Sequence, residues 1–186
     1  MESSVRDRNI LDEFCIKFCS VVEKHAKYII VSGFVAISTG RTRGTEDIDL
    51  IMERLDKQRY YALHKDLLQA GFLCMQSDNP VVLFDDYLSD NISIRYTLRN
   101  KRLPEMEVKF AKDKLDLYQL QHRQKIPLTG LDVWFSSIEM NIAFKEEYLK
   151  SDKDMEDAKH FRTVFAEQIS EDEIEHIKKI IRKEKL

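Results

Sequence analysis

Apolar positions between Asn9 and His25 recur three and four apart. Ile10, Leu11, Phe14, Phe18, Val21 and Val22 fall on one helical face. The run "KYIIVSG" then reads as a buried strand that stops at Gly33, and "FVAIS" as a short helix or turn. "GRTRGTE" is a loop bounded by Gly40 and Gly44, and "DIDLIM" is a second strand. From Asp56 to Ala70, Tyr60, Leu63, Leu67 and Leu68 mark a helix that Gly71 closes. "FLCMQ", "PVVLFDD", "NISIRYTL" and "EMEVKFA" read as further strands, separated by turns at Asp78–Pro80 and Asn100–Pro104. Asp113 to His122 reads as a short helix and "LDVWF" as another strand.

Beyond Ser136 the periodicity is helical throughout. One helix carries Ile138, Ile142, Ala143 and Leu149, and the next Met155, Ala158, Phe161 and Phe165. The last opens with Ser170 and Glu173, a capping-box pair, and ends in Lys and Arg, which suit the negative end of a helix dipole. The pattern predicts an α+β fold: a mixed β-sheet flanked by helices, with a helical C-terminal part. The expected division is an α/β core over 1–136 and a helical region over 137–186 packed on it as one compact unit.

Composition narrows this reading. A chain of 186 residues with 43% hydrophobic content can bury one substantial core. Charged residues reach 34% but nearly cancel, to a net charge of -3, which argues against a whole-molecule grip on nucleic acid. Only 5 Gly and 3 Pro argue against a fibrous or disordered chain. No apolar run approaches the roughly 20 residues that span a bilayer. The opening "MESSVRDRNILDEF" is too polar for a secretory signal. Three cysteines, an odd number, suit reduced thiols, and a cytoplasmic location is expected. Cys15 and Cys19 share a helix face and read as core residues rather than zinc ligands, as does Cys74. His25, His64, His122, His160 and His176 do not cluster and read as surface or interface residues. Trp134, Tyr60 and Tyr61 read as packing.

The unusual feature is the pair Asp47 and Asp49 inside an apolar strand. Alternation points both to one face, with Cα atoms roughly 6.6 Å apart. Without a cation the arrangement is unfavourable, because like charges repel and partial burial raises the cost. A divalent cation would complete it. Upstream, the strand-to-helix turn at Ser32–Gly33 offers backbone N–H groups to phosphate oxygens, and Arg41 and Arg43 could neutralise a polyphosphate.

Gly33, then Arg43, Thr45, Asp47, Ile48 and Asp49 in this order, resemble the nucleotidyltransferases with the DNA polymerase beta-like fold. Within that superfamily the chain looks most like the minimal branch that includes abortive-infection toxin-like proteins, which carry "R-x-T-x-D-I-D". Phe34 is a departure, since the family usually has Gly or Ser there, and Ser32 would supply the hydroxyl instead. The family's third carboxylate is matched by Glu107 in "PEMEVKFA", with Glu105 and Lys109 on the same strand face. Asp85 and Asp86 are rivals, but "DDY" reads as a turn. "SIEMNIAFKEEYLKSDKDMEDAKHF" also resembles the branch, through Lys145, Lys153, Asp154 and Asp157.

The resemblance implies Asp47, Asp49 and Glu107 as catalytic metal ligands for Mg²⁺ or Mn²⁺. It implies Ser32, Gly33, Phe34, Arg43, Thr45 and Lys145 as contacts to a nucleoside triphosphate such as ATP. Asp154 and Asp157 suit a helix N-terminus and could orient Lys145 or Arg162. The expected function is transfer of a nucleoside monophosphate to a hydroxyl acceptor, with release of pyrophosphate. The acceptor is left open among tRNA or other RNA, protein, and a small molecule such as an aminoglycoside. The alternative is a catalytically decayed nucleotide- or partner-binding module of a toxin–antitoxin-type system, with a cognate antitoxin. Pairing of the C-terminal helices into a homodimer is also open.

Overall fold

A computed structural model describes residues 9–45 and 47–184. The polar segment 1–8 and Glu46 of the arginine loop lie outside the described residues. Helix α1 (Ile10–Val22) starts at a capping box. The Asn9 side chain accepts from the Asp12 N–H at 2.9 Å, and the Asp12 carboxylate accepts from the Asn9 N–H at 3.2 Å. Strand β1 (Tyr28–Val31) runs into α2 (Gly33–Ser38), and β2 (Asp47–Met52) follows the arginine loop. Asp56 caps α3 (Lys57–Gln69), which ends at Gly71 with φ +93°. Then come β3 (Phe72–Cys74), a helical segment from α4 (Pro80–Val82) to Asp90, β4 (Ile94–Leu98) and β5 (Glu105–Phe110). Asp113 caps α5 (Lys114–Gln121). Ser137, Ser151 and Ser170 cap α6 (Ile138–Phe144), α7 (Asp152–Val164) and α8 (Glu171–Lys183).

The five strands form one sheet in the order β1-β2-β5-β4-β3. Strands β2 and β5 are parallel and the other neighbours antiparallel. One face buries Tyr28, Ile30, Ile48, Leu50, Met106 and Val108 in the main core. The opposite face has a small apolar cluster beside α5, where Ile29, Ile51, Ala111 and Leu120 meet. It also carries Asp47, Asp49, Glu105, Glu107 and Lys109, with Arg95 and Thr97 beside them on β4, so the pleat itself separates core from site. Helix α6 packs on α7 and α8, α7 also meets α2, and Ile142, Phe161 and Ile177 continue the main core. Among the described residues no helix is long and apolar enough to cross a membrane.

Two expected strands are absent. "PVVLFDD" is helical: Asn79 accepts from the Val81 N–H at 2.9 Å, and Pro80 occupies the first helical turn, where its missing N–H costs nothing. Wider i to i+5 turns follow over Leu83–Tyr87. "LDVWF" forms only isolated bridges. Phe135 pairs with Ile30 and with Gln124, so this segment covers the β1 edge without becoming a strand. Trp134 is half-buried, with Arg123 and Lys125 at its ring and its Nε1–H donating to Glu23 at 2.9 Å. His64 is not a surface residue. It is buried, and its ring Nδ1 lies 2.7 Å from the Tyr96 hydroxyl, itself 3.0 Å from the Tyr60 hydroxyl. The three cysteines are buried and free.

Candidate active site

Parallel pairing of β2 with β5 sets Asp47 beside Glu105 and Asp49 beside Glu107. Side chains in register on neighbouring strands share a face, so four carboxylates gather opposite the core. Asp47 is exposed and Asp49 half-buried. Burial raises the Asp49 pKa above the ordinary carboxylate value, and the negative charges of Glu107 and Asp47 push it further. The Ser32 hydroxyl and Lys109 act against both. Glu107 is held from β4: the Ser93 hydroxyl donates to it at 2.9 Å and Arg95 at 3.1 and 3.3 Å. Arg95 also approaches Glu105 at 3.7 Å. The rival Asp85 pairs with Lys57 at 2.7 Å on the turn after α4, and the structure brings neither it nor Asp86 to these carboxylates.

Beside Asp49, the chain leaves β1 through a strained turn. Ser32 has φ +69° and ψ −144°, a conformation that L-residues rarely adopt. A Cβ at Gly33 would lie 3.1 Å from the Arg43 guanidinium carbon, so any larger residue there must displace that side chain. The Phe34 side chain is buried in the core, so only its main chain remains for the turn. Thr45 fixes the entry to β2: its hydroxyl donates to the Asp47 carbonyl at 3.0 Å.

Three cations converge on one buried carboxylate. Asp157, fully buried on α7, pairs with Arg41, with Arg43, and with Lys145 at 2.9 Å. Arg41 also pairs with Glu156, and Lys145 with Asp154 at 3.2 Å. Lys145, only 2% exposed, begins the wide-turn continuation of α6 that runs to Leu149. Arg162 pairs instead with Glu146 and Glu171, and Lys153 is exposed. The structure joins Arg43 and Lys145 through Asp157, so of the two cations that Asp154 and Asp157 were expected to orient they pair with Lys145 and not with Arg162. Nothing in the sequence pattern marks Arg95, Asp116 or Gln119 as facing this site. The one signal was Asn141, a polar residue inside the apolar stripe of α6.

A cleft of about 200 Å³ opens at Asp49, Glu107 and Lys109, walled by Phe144 and Leu149. A larger groove of about 480 Å³ lies elsewhere, between the Gln124–Leu128 segment and the ends of α6 and α7. Its one carboxylate, Glu139, accepts from the Ser170 N–H at 3.2 Å, so we assign that groove no chemistry.

The donor set fits a hard divalent cation. Asp47, Asp49 and Glu107 offer only oxygen, which suits Mg²⁺ or Mn²⁺ rather than a soft metal. The Asp49 pKa is raised first by burial and then by the charges of Glu107 and Asp47, and a bound cation would offset both. Among the described residues no three His, Cys, Asp or Glu side chains are already drawn together as a cation cage. The Arg95 contact holds Glu107 toward β4, so cation binding would compete with that pair.

No family model matches the sequence, and no curated protein matches it. Solved structures do. The solution structure of the antibiotic-resistance factor ANT(2'')-Ia superposes with a TM-score of 0.56 at 15% identity, over 93% of this chain and 91% of that one. An antigenic nucleotidyltransferase-like protein from Paracoccidioides brasiliensis gives 0.55 at 17% identity, over 93% and 88%. The crystal structure of ANT(2'')-Ia in complex with adenylyl-2''-tobramycin gives 0.52 at 17% identity, over 94% and 98%. A mixed sheet that carries paired carboxylates on its open face, beside a strand–turn–helix, is in this chain built on the nucleotidyltransferase fold.

Proposed function

We propose that this chain is a metal-dependent nucleotidyltransferase. It transfers a nucleoside monophosphate from a nucleoside triphosphate to a hydroxyl acceptor and releases pyrophosphate. The observation that carries the reading is the register of Asp49 with Glu107, beside the Ser32–Gly33 turn and on a face the core does not use. Asp47, Asp49 and Glu107 would hold Mg²⁺ or Mn²⁺. Such cations, when bound, neutralise phosphate charge and lower the pKa of a hydroxyl.

This chain's own groups do the rest. The main chain of Ser32–Phe34 meets the phosphates, with Arg43 and Lys145 fixed behind it by Asp157. The acceptor oxygen attacks the α-phosphorus as the bond to the β-phosphate oxygen breaks. The hydroxyl proton leaves toward the carboxylate face. Positioning and electrostatic stabilisation supply most of the rate. RNA, a protein and a small molecule stand as acceptor classes. The adenylylated tobramycin bound to ANT(2'')-Ia makes the last the first to screen.

A second reading, a nucleotide- or partner-binding module without turnover, draws on the commitment of Glu107 to Arg95 and Ser93. Calorimetric titration of the four triphosphates, with and without Mg²⁺, separates the two when combined with a pyrophosphate-release assay. The proposal expects Mg²⁺-dependent binding that Asp49→Asn abolishes, and pyrophosphate release in the presence of an accepted hydroxyl. Binding that ignores both Mg²⁺ and Asp49→Asn would overturn it.

A further inference from the structure

The cations near the site are not equivalent. Arg41, Arg43 and Lys145 are held by Asp157, and Arg95 is held by Glu107 at 3.1 Å. Lys109 differs from all of them. It lies on β5 in register with Ile51, two positions beyond Glu107 and on the same face of the sheet. That spacing puts its Cα roughly 6.6 Å from that of Glu107. Its side chain is half-buried, yet among the described residues no carboxylate stands within ion-pair distance of it.

Lys109 lines the cleft of about 200 Å³ together with Ser32, Asp49 and Glu107. It also lines a smaller chamber of about 90 Å³ that continues from the cleft under α6, where Asp116 and Lys145 belong to a wall of mixed polarity. Lys109 therefore stands at the junction of the two spaces. Burial raises the pKa of Asp49 and of Asp116, and the Lys109 charge works against that rise in both. The charge is shared between two acids and closely paired with neither. A half-buried ammonium group has lost part of its hydration, and an anion that arrives with a ligand restores the missing partner.

The net charge of the ligand then decides the sign of the effect. A bare divalent cation at Asp49 and Glu107 is repelled by Lys109. The complex of the same cation with a triphosphate is an anion and is attracted.

Resting on the reading of the site as one for nucleoside triphosphates, we propose that Lys109 meets a phosphate oxygen of the metal-bound triphosphate from the inner end of the cleft, and so makes the site select the cation–triphosphate complex over the bare cation. Arg43 and Lys145 supply orientation at the other side, with their charges already spent on Asp157.

The test is a calorimetric titration of the intact chain, Lys109→Met and Lys109→Arg with three probes. These are Mg²⁺ alone, ATP in Mg²⁺, and inorganic tripolyphosphate in Mg²⁺, the last being independent of any base preference. Lys109→Met is expected to bind Mg²⁺ alone severalfold more tightly and both triphosphates about tenfold more weakly. Lys109→Arg keeps the charge and is expected to restore both triphosphates to within about threefold of the intact chain. Opposite signs are what a merely structural lysine does not give. If Lys109 only neutralises Asp49, its loss tightens Mg²⁺ and the triphosphates together, or leaves the triphosphates unchanged, and the assignment of Lys109 is wrong while the site assignment stands. If the intact chain binds neither ATP nor tripolyphosphate, the proposed function fails and the role of Lys109 with it. Lys109→Gln carries the same comparison if the Met variant does not fold.

Discussion

Replacing Asp49 with Asn should make the protein more stable while removing its function. The Asp49 and Glu107 backbones are register partners on adjacent strands, about 4.8 Å apart, with both side chains on one face. Two full charges about 6 Å apart at an effective dielectric near 20 repel by about 3 kcal/mol. Arg95 on Glu107, and Lys109 near Asp49, cancel much of this, leaving about 1 kcal/mol that Asn would recover. In a chain of this length that is about 2–4 °C in melting temperature. The pH dependence follows from the raised Asp49 pKa. The protonated form, which resembles Asn, is the one the fold prefers. Its contribution is complete below the ordinary Asp value near 3.9 and is lost as pH rises through the higher folded value. The gap between variant and parent should therefore be small in acid and full at pH 7. Melting curves in a chelator across that range measure it. Adding Mg²⁺ at ten times its dissociation constant should stabilise the parent by about 1.4 kcal/mol and the Asn variant far less. An Asn variant that melts below the parent at pH 7 in chelator, or a gap that ignores pH, would refute the reasoning.

Asp157→Ala should cost about 3–5 kcal/mol in urea unfolding, because it strands Lys145 in the interior and frees Arg41 and Arg43. Gly33→Ala should weaken triphosphate binding about tenfold with little effect on melting, since the new methyl displaces a guanidinium that Asp157 pins. Arg95→Ala should tighten Mg²⁺ binding severalfold in a calorimetric titration by releasing Glu107, and unchanged affinity would show that the pair does not compete. His64 is buried and its pKa depressed by that burial, so its contribution is present above the ordinary value near 6.5 and lost as pH falls through the lower folded value. His64→Gln should flatten the acid side of the stability profile, read as melting temperature between pH 5 and 7.5.

Most of the architecture was legible because its signals are local. The periodic apolar positions of α1 and α3, the Asp-x-Asp strand and the Ser170 cap of the last helix each need only neighbouring residues. The two missed elements had the composition of strands, but other forces decided them. Asn79-Pro80 is a helix start, and a run of four to seven apolar residues does not distinguish helix from strand. "LDVWF" meets the β1 edge only at Ile30, and its Phe135 also pairs with Gln124. In the site, the strand carboxylates were legible from alternation, whereas of the hub only the link from Asp157 to Lys145 was. Arg41 and Asp157 are 116 positions apart, and nothing in either neighbourhood encodes the other.

The two sides of the site are therefore built on opposite electrostatic principles. Arg41, Arg43 and Lys145 already have their counter-charges in Asp157, Asp154 and Glu156, so a triphosphate arriving there gains little from neutralising bare cations. What that side offers is orientation. A fully buried carboxylate fixes three flexible cations before the ligand arrives, and less entropy is lost on binding. The carboxylate side is the reverse. Burial and then the charges of Glu107 and Asp47 disfavour the Asp49 carboxylate, with Lys109 and the Ser32 hydroxyl acting against them. Affinity for a free triphosphate should accordingly depend on the cation that accompanies it more than on any single arginine. The comparison that exposes this is the loss on removing Mg²⁺ against the loss on Arg43→Ala. The geometry requires the first to be the larger, and the reverse order would place the main phosphate grip on the arginine loop.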